Sequence, residues 1–299
     1  MKISRINPLY FYGGTQSNNR LKFEGQDIFT RNINEDKIMQ NNEILNSVID
    51  EFKRFEEVEA IGIGGSSAAK TADKASDIDV YIFTDKDIPN GERAEIVKKY
   101  SSNYEIGCEY FGAGDEFFVD KMGRQLDVMY FNKQWFENNF ENVWLKHYPS
   151  NGYTTCFLHT LNVIEISYDK KGWLKGLKDR LQTPYPEKLK ENIIKRNMML
   201  LKDKPFASYY EQLEKAVKRN DLNSINHRSA AFLASYFDII FAKNKILHPG
   251  EKRLVEFAKN NCKILPKDFE KDVNKLAAGA VSKKLETASR MVENLRKIL

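Results

Sequence analysis

The stretch Asp77-Ile78-Asp79-Val80-Tyr81-Ile82-Phe83-Thr84 constrains this chain more tightly than any other. Its alternation, with β-branched and aromatic residues at successive positions, predicts a strand. Side chains at i and i+2 of a strand share a face, so Asp77 and Asp79 point the same way. Ile78, Val80 and Ile82 then put the opposite face in a core, which fixes the acidic face. Two carboxylates one residue apart offer hard oxygen donors to a divalent cation such as magnesium. Upstream, a short apolar strand pattern, Val58 to Ile63, runs into Gly62-Ile63-Gly64-Gly65-Ser66-Ser67. A glycine-rich turn between two strands can bring backbone N–H groups close to phosphate oxygens, here those of Gly65 and Ser66. The residues Gly65, Ser66, Ser76, Asp77 and Asp79 therefore form one candidate constellation, a phosphate cradle beside a metal-binding strand end.

Two better-known phosphate loops fail on single residues. Read as GxGxxG from Gly62, the third glycine position holds Ser67;. Read as a P-loop from Gly64 to Thr71, the second glycine position holds Ala69, whose Cβ obstructs a backbone that must curl around phosphate.

Along the chain, residues 1 to 35 have no sustained period and read as an irregular arm. Ile38, Ile44, Leu45, Val48, Ile49, Phe52 and Phe55 recur at helical spacing from Glu35 onward;. After the two strands already named, residues 91 to 101 look helical. Tyr104 to Phe111, Glu116 to Asp120 and Gln125 to Phe131 look like strands, the last two joined by the turn Lys121-Met122-Gly123-Arg124. Beyond residue 132 helical periodicity dominates, ending in a stripe of Val281, Leu285, Ala288, Met291, Leu295 and Leu299;. The pattern predicts an α+β domain with a mixed sheet and flanking helices over residues 1–140. An all-helical bundle follows over 141–299.

Composition excludes more than it selects. Of 299 residues, 41% are hydrophobic and 30% charged, which suits a globular chain rather than a disordered one;. No apolar run approaches the roughly 20 residues that span a bilayer, and Met1-Lys2-Ile3-Ser4-Arg5 opens no signal core, so a cytoplasmic protein without a membrane partner is expected. Cys108, Cys156 and Cys262 stand far apart and predict core thiols rather than zinc or disulfides. His147, His159, His227 and His248 show no ligand spacing. A net charge of +5, from 47 basic and 42 acidic residues, is mild and mixed. It falls short of a nucleic-acid-binding stripe.

The run Gly64-Gly65-Ser66…Ser76-Asp77-Ile78-Asp79-Val80 resembles the signature of the nucleotidyltransferase superfamily. That superfamily includes DNA polymerase β and the antibiotic adenylyltransferases that act on aminoglycosides and lincosamides. Gly65-Ser66-Ser67-Ala68-Ala69-Lys70-Thr71-Ala72-Asp73 is similar to the Gly-Ser-x-Ala-Arg-Gly-x-Ala-Asp form of bacterial members, with Ala69-Lys70 where Arg-Gly is usual. The pattern asks for a third carboxylate on a later strand, and Leu126-Asp127-Val128-Met129-Tyr130 supplies it. The resemblance covers residues 55 to 132 and implies a polymerase-β-like fold. It implies two magnesium ions on Asp77, Asp79 and Asp127, and a nucleoside triphosphate donor, with AMP moving from ATP to an acceptor hydroxyl.

In related antibiotic-modifying enzymes a basic residue from the helical domain closes on the triphosphate, and Lys252, in His248-Pro249-Gly250-Glu251-Lys252-Arg253, is similar to it. The general base is Asp127 or a helical-domain glutamate such as Glu165, read within a helical run from His159 to Ile166. Trp135, Trp144 and Trp173 are candidate acceptor-cleft aromatics or core residues. The expected acceptor is a small molecule of the antibiotic type. A tRNA or a protein acceptor and a catalytically idle nucleotide-binding module are the rivals; the three intact carboxylates speak against the last.

Overall fold

The computed structural model describes residues 27–64, 77–110, 112–203 and 206–299, with side chains from residue 39 onward. The chain divides into two compact units, one of residues 1–137 with 163–180, the other of 138–162 with 181–299.

The first unit is built on a mixed sheet. In chain order it runs α1 (Asp27–Phe52), β1 (Val58–Gly64), β2 (Ile78–Thr84), α2 (Asn90–Val97), β3 (Asn103–Cys108), β4 (Gly114–Val119) and β5 (Arg124–Asn132). The strands stand in the order β3-β4-β5-β2-β1, and a sixth strand closes the far edge beside β1. β2 and β5 run parallel, while the other pairs are antiparallel.

Alternation decides which face each residue takes. Ile78, Val80 and Ile82 of β2 join Leu126 and Val128 of β5 and Phe117 and Val119 of β4. Together they form a core with Leu45, Val48, Ile49 and Phe52 of α1 and Ile96 and Val97 of α2. Between β4 and β5 the turn is closed by the amides of Met122 and Gly123, both donating to the Val119 carbonyl. Gly123 sits at φ +64, the left-handed conformation glycine adopts without cost;.

On the opposite face, Tyr81 and Phe83 alternate with the core residues. Phe83 packs edge-on against Phe136 at 5.0 Å and against Trp173 at 5.3 Å, and lies flat on Phe131 at 5.9 Å. Phe136 belongs to α3 (Lys133–Phe140). Trp173 arrives after α4 (Cys156–Val163) and β6 (Glu165–Asp169), at the start of α5 (Trp173–Leu181). β6 is the sixth strand of the sheet, pairing Ala60 with Asp169 and Ile63 with Glu165.

The sequence reading of His159 to Ile166 as one helix is therefore corrected: the helix stops at Val163 and Glu165 opens a strand. The physical reason is tertiary. β1 has an unpaired edge, and the backbone groups of 165–169 satisfy it.

The second unit is helical: α6 (Glu187–Met198), α7 (Tyr209–Lys218), α8 (Leu222–Asn244), α9 (Leu254–Asn261), α10 (Phe269–Ala278) and α11 (Val281–Arg296), with π-helical turns at Glu141–Leu145 and Met199–Asp203. Its core centres on Phe232, Tyr236, Ile239 and Ile240 of α8 against Leu276, Ala288, Met291 and Leu295. The expected stripe on α11 is this inward face, although Leu299 lies beyond it and is 41% exposed. The cysteines are unpaired, Cys108 and Cys262 buried and Cys156 half-buried. Among the described residues, no helix is long and apolar enough to cross a membrane.

Candidate active site

Strand register gathers the acidic residues. Asp79 on β2 pairs directly with Asp127 on the parallel strand β5. Across the antiparallel neighbours, Asp127 pairs with Glu116 on β4, and Glu116 with Glu105 on β3. On the other side, Asp79 pairs with Gly64 at the end of β1. Cross-strand partners share a face at about 5 Å between Cβ atoms. Four carboxylates thus form one row across the sheet, ending at Gly64, the last residue of β1. Asp77 stands exposed one residue before β2. Asp79 and Asp127 are half-buried, and Glu105 and Glu116 are exposed.

The neighbour of Glu116 fixes its orientation. Asp115 is fully buried on the other face, where it accepts from Arg93 Nη1 at 2.8 Å, the Gly107 amide at 2.9 Å and the Tyr130 hydroxyl at 2.7 Å. With Asp115 held by this clamp, alternation leaves Glu116 on the side of Asp127. Burial pushes the Glu116 carboxyl above its usual range, and the negative charges of Asp127, Glu105 and Asp77 push it further;. Sequence reading missed Glu105 and Glu116. The only signal available was the alternation of Asp115 and Glu116, which cannot reveal strand pairing.

Asp127 has a further neighbour on its own strand. Gln125, two residues earlier on the same face, donates from Nε2 to Asp127 Oδ1 at 2.7 Å. Phe118, 41% exposed, pairs with Gln125 across β4 and β5, and so brings an aromatic ring to the same surface.

Carboxylate oxygens are the donors that magnesium accepts, and two such groups plus phosphate oxygens and water complete its shell. Among the described residues, no three acidic, histidine or cysteine side chains are already drawn together as an ion would hold them. The register of Asp79 with Asp127 sets two such oxygen donors side by side, which fits that ion.

Of the other expected site residues, Gly65, Ser66 and Ser76 lie outside the described residues. Gly64 is described: a Cβ there would run into the Tyr81 ring, so a side chain at this position would force that ring to shift. Lys252 is exposed in the helical unit, on the segment leading into α9. Glu165 pairs with Ile63, which itself pairs with the core residue Val80. Its position therefore falls on the face opposite Asp79, which removes it as a base acting beside Asp127. Trp173 belongs to the aromatic cluster around Phe83, on the face of the sheet that also carries Asp79, and Trp144 is buried in the helical unit, 5.6 Å from Tyr185. Trp135 is 48% exposed and stacks on Phe131.

Residues 45–150 match the model of the nucleotidyltransferase domain, and residues 155–254 match a domain of unknown function (DUF4037). The chain carries a nucleotidyltransferase domain of that superfamily, and the enzyme class is nucleotidyltransferase. Two solved structures are similar over most of their length. A nucleotidyltransferase-like protein from Exiguobacterium sibiricum 255-15 shares 10% identity, covering 84% of this chain and 72% of its own, with a TM-score of 0.42. A STING-associated CdnE c-di-GMP synthase from Capnocytophaga granulosa shares 18% identity, covering 88% of this chain and 81% of its own, with a TM-score of 0.28. No curated protein matches the chain.

Proposed function

We propose that the row of carboxylates transfers a nucleoside monophosphate, AMP from ATP, to a hydroxyl of a small cationic acceptor of the antibiotic type. The observation that carries the transfer reading is the in-register alignment of Asp79 with Asp127 inside the segment that matches the nucleotidyltransferase domain. Asp77, Asp79 and Asp127 would hold magnesium, which when bound neutralises phosphate charge and acidifies the attacking hydroxyl. Asp127 takes the hydroxyl proton at a carboxylate oxygen. The acceptor oxygen bonds to the α-phosphorus, the bond from that phosphorus to the bridging oxygen breaks, and pyrophosphate leaves. Gly65, Ser66 and Ser76 are proposed to hold the triphosphate through the Gly-Ser turn. Lys252 is a separate phosphate-binding proposal, tested by the KM for ATP of K252A.

The acceptor class is supported by what lies beyond Asp127. Glu116, Glu105 and Phe118 make that surface acidic and aromatic. Cations favour carboxylates and ring faces, whereas an RNA backbone is repelled by them. Incubation with α-labelled ATP, magnesium, a panel of aminoglycosides and lincosamides, and total tRNA tests the reading. Label is expected on a small polycation. Label only in tRNA, or on the protein itself, would overturn the acceptor class while leaving the transfer chemistry standing.

A further inference from the structure

We propose that Gln125 is a positioning residue for Asp127: its side-chain amide orients the Asp127 carboxylate for metal binding. The inference rests on the reading of Asp127 as a metal ligand. The geometry is direct. Residues 125 and 127 are i and i+2 on β5, so both side chains stand on the carboxylate face;. Nε2 of Gln125 meets Oδ1 of Asp127 at 2.7 Å, a short bond for an amide donor to a charged acceptor;.

That bond has work to do on this face. Asp127 lies between Asp79 on one strand and Glu116 on the other, both carrying like charge. Without an ion, repulsion favours any rotamer that swings the Asp127 carboxylate away from its row. A neutral donor on the same strand opposes that swing without adding charge. It also selects which oxygen faces along the strand and so sets the plane in which the carboxylate meets an ion. Gln125 is in turn flanked by Phe118 across the β4–β5 ladder, which limits where its amide can lie. Partners of ligating carboxylates typically change metal affinity about 10- to 100-fold when removed.

The test uses the full-length protein and reads metal binding without turnover. Mn2+ is titrated in the absence of nucleotide and followed by electron paramagnetic resonance, for wild type, Q125M, Q125A and D127N. Methionine keeps the length and removes the donor; alanine is the second variant should methionine disturb folding, and thermal melts report the fold of each. The expected result is Mn2+ affinity weakened about 10- to 100-fold in Q125M and Q125A, with wild-type melting. At saturating Mg2+ the KM for ATP should return to the wild-type value, a recovery that a general structural defect would not show. Wild-type or tighter Mn2+ binding in the glutamine variants, alongside loss in D127N, would overturn the positioning role alone. Wild-type binding in D127N as well would overturn the metal-site reading and the inference with it.

Discussion

At the scale of residues, the carboxylates are proposed to carry the chemistry, and the buried titratable groups carry the pH dependence. Asp127→Asn and Asp79→Asn are each expected to lower label transfer by at least about a hundredfold, the scale on which loss of a transition-state charge partner is felt. The melting temperature of the metal-free protein should hold or rise, since one like charge leaves the row. A D127N enzyme with wild-type turnover would remove Asp127 from the mechanism.

In the helical unit, burial lowers His248 to about 3, with His159 nearby adding to the effect, and burial lowers His159 to about 4. Both fold as neutral rings; His248 Nδ1 accepts from the Gly250 amide at 3.1 Å. Their folded values lie below the unfolded one, so their contribution is complete above pH 6.5 and is lost as pH falls. Asp238 acts in the opposite sense. Burial raises it to about 7, although Thr154 and Asn197 donate to it and oppose the shift. Its stabilising, protonated form is lost as pH rises from about 4 to 7.

Two histidines against one carboxylate leave a net loss of up to about 1.4 kcal/mol per pH unit on acidification below 6.5. The melting temperature should therefore fall between pH 6.5 and 5, and fall less steeply in H248N, whose amide oxygen can still accept from Gly250. A level profile in wild type would contradict the burial of neutral rings. The strand that carries Asp79 was legible in the sequence because alternation is local, and Asp127 was singled out by the family resemblance. Glu116 was not, because its place depends on which strand lies beside β5.

At the scale of elements, what could be read was what is written locally. The β4–β5 hairpin announced itself through Gly123, and α11 through its stripe. β6 did not: Leu158, Leu161 and Ile164 carry helical spacing up to its first residue, and an edge strand with one partner needs little alternation of its own. β6 exists because the edge of β1 needs it.

α8 shows how a local signal becomes stability. Asp221 caps it, accepting from the Ser224 amide at 3.0 Å and the Ser224 hydroxyl at 2.6 Å, and Lys245 ends it in the left-handed conformation. Asp221→Ala is expected to cost about 1 kcal/mol, read as a lower urea midpoint with unchanged transfer activity. No change in the midpoint would mean that the cap contributes nothing once α8 is packed.

At the scale of the whole molecule, each unit has its own core, so damage to one should be read first in that unit. Phe232→Ala, at a fully buried site in α8, is expected to cost about 3 to 5 kcal/mol;. Amide exchange by mass spectrometry should show α7, α8 and α11 losing protection before β2 and β5 do. Equal loss in both units would mean that they unfold as one.

The sheet unit is also discontinuous along the chain: it takes residues 1–137, lets 138–162 go to the helical unit, and reclaims 163–180. A gene fragment cut at residue 150, where the match to the nucleotidyltransferase domain ends, would encode the row of carboxylates but not β6 or α5. Its β1, apolar and almost wholly buried, would offer a bare ladder from Ala60 to Ile63 to any other strand, and Phe83 would lose Trp173. Such an edge invites chain-to-chain pairing. On the ribosome the same edge stays open until β6, residues 165–169, has emerged, so the shortest portable version of this sheet runs well past the last carboxylate of its row.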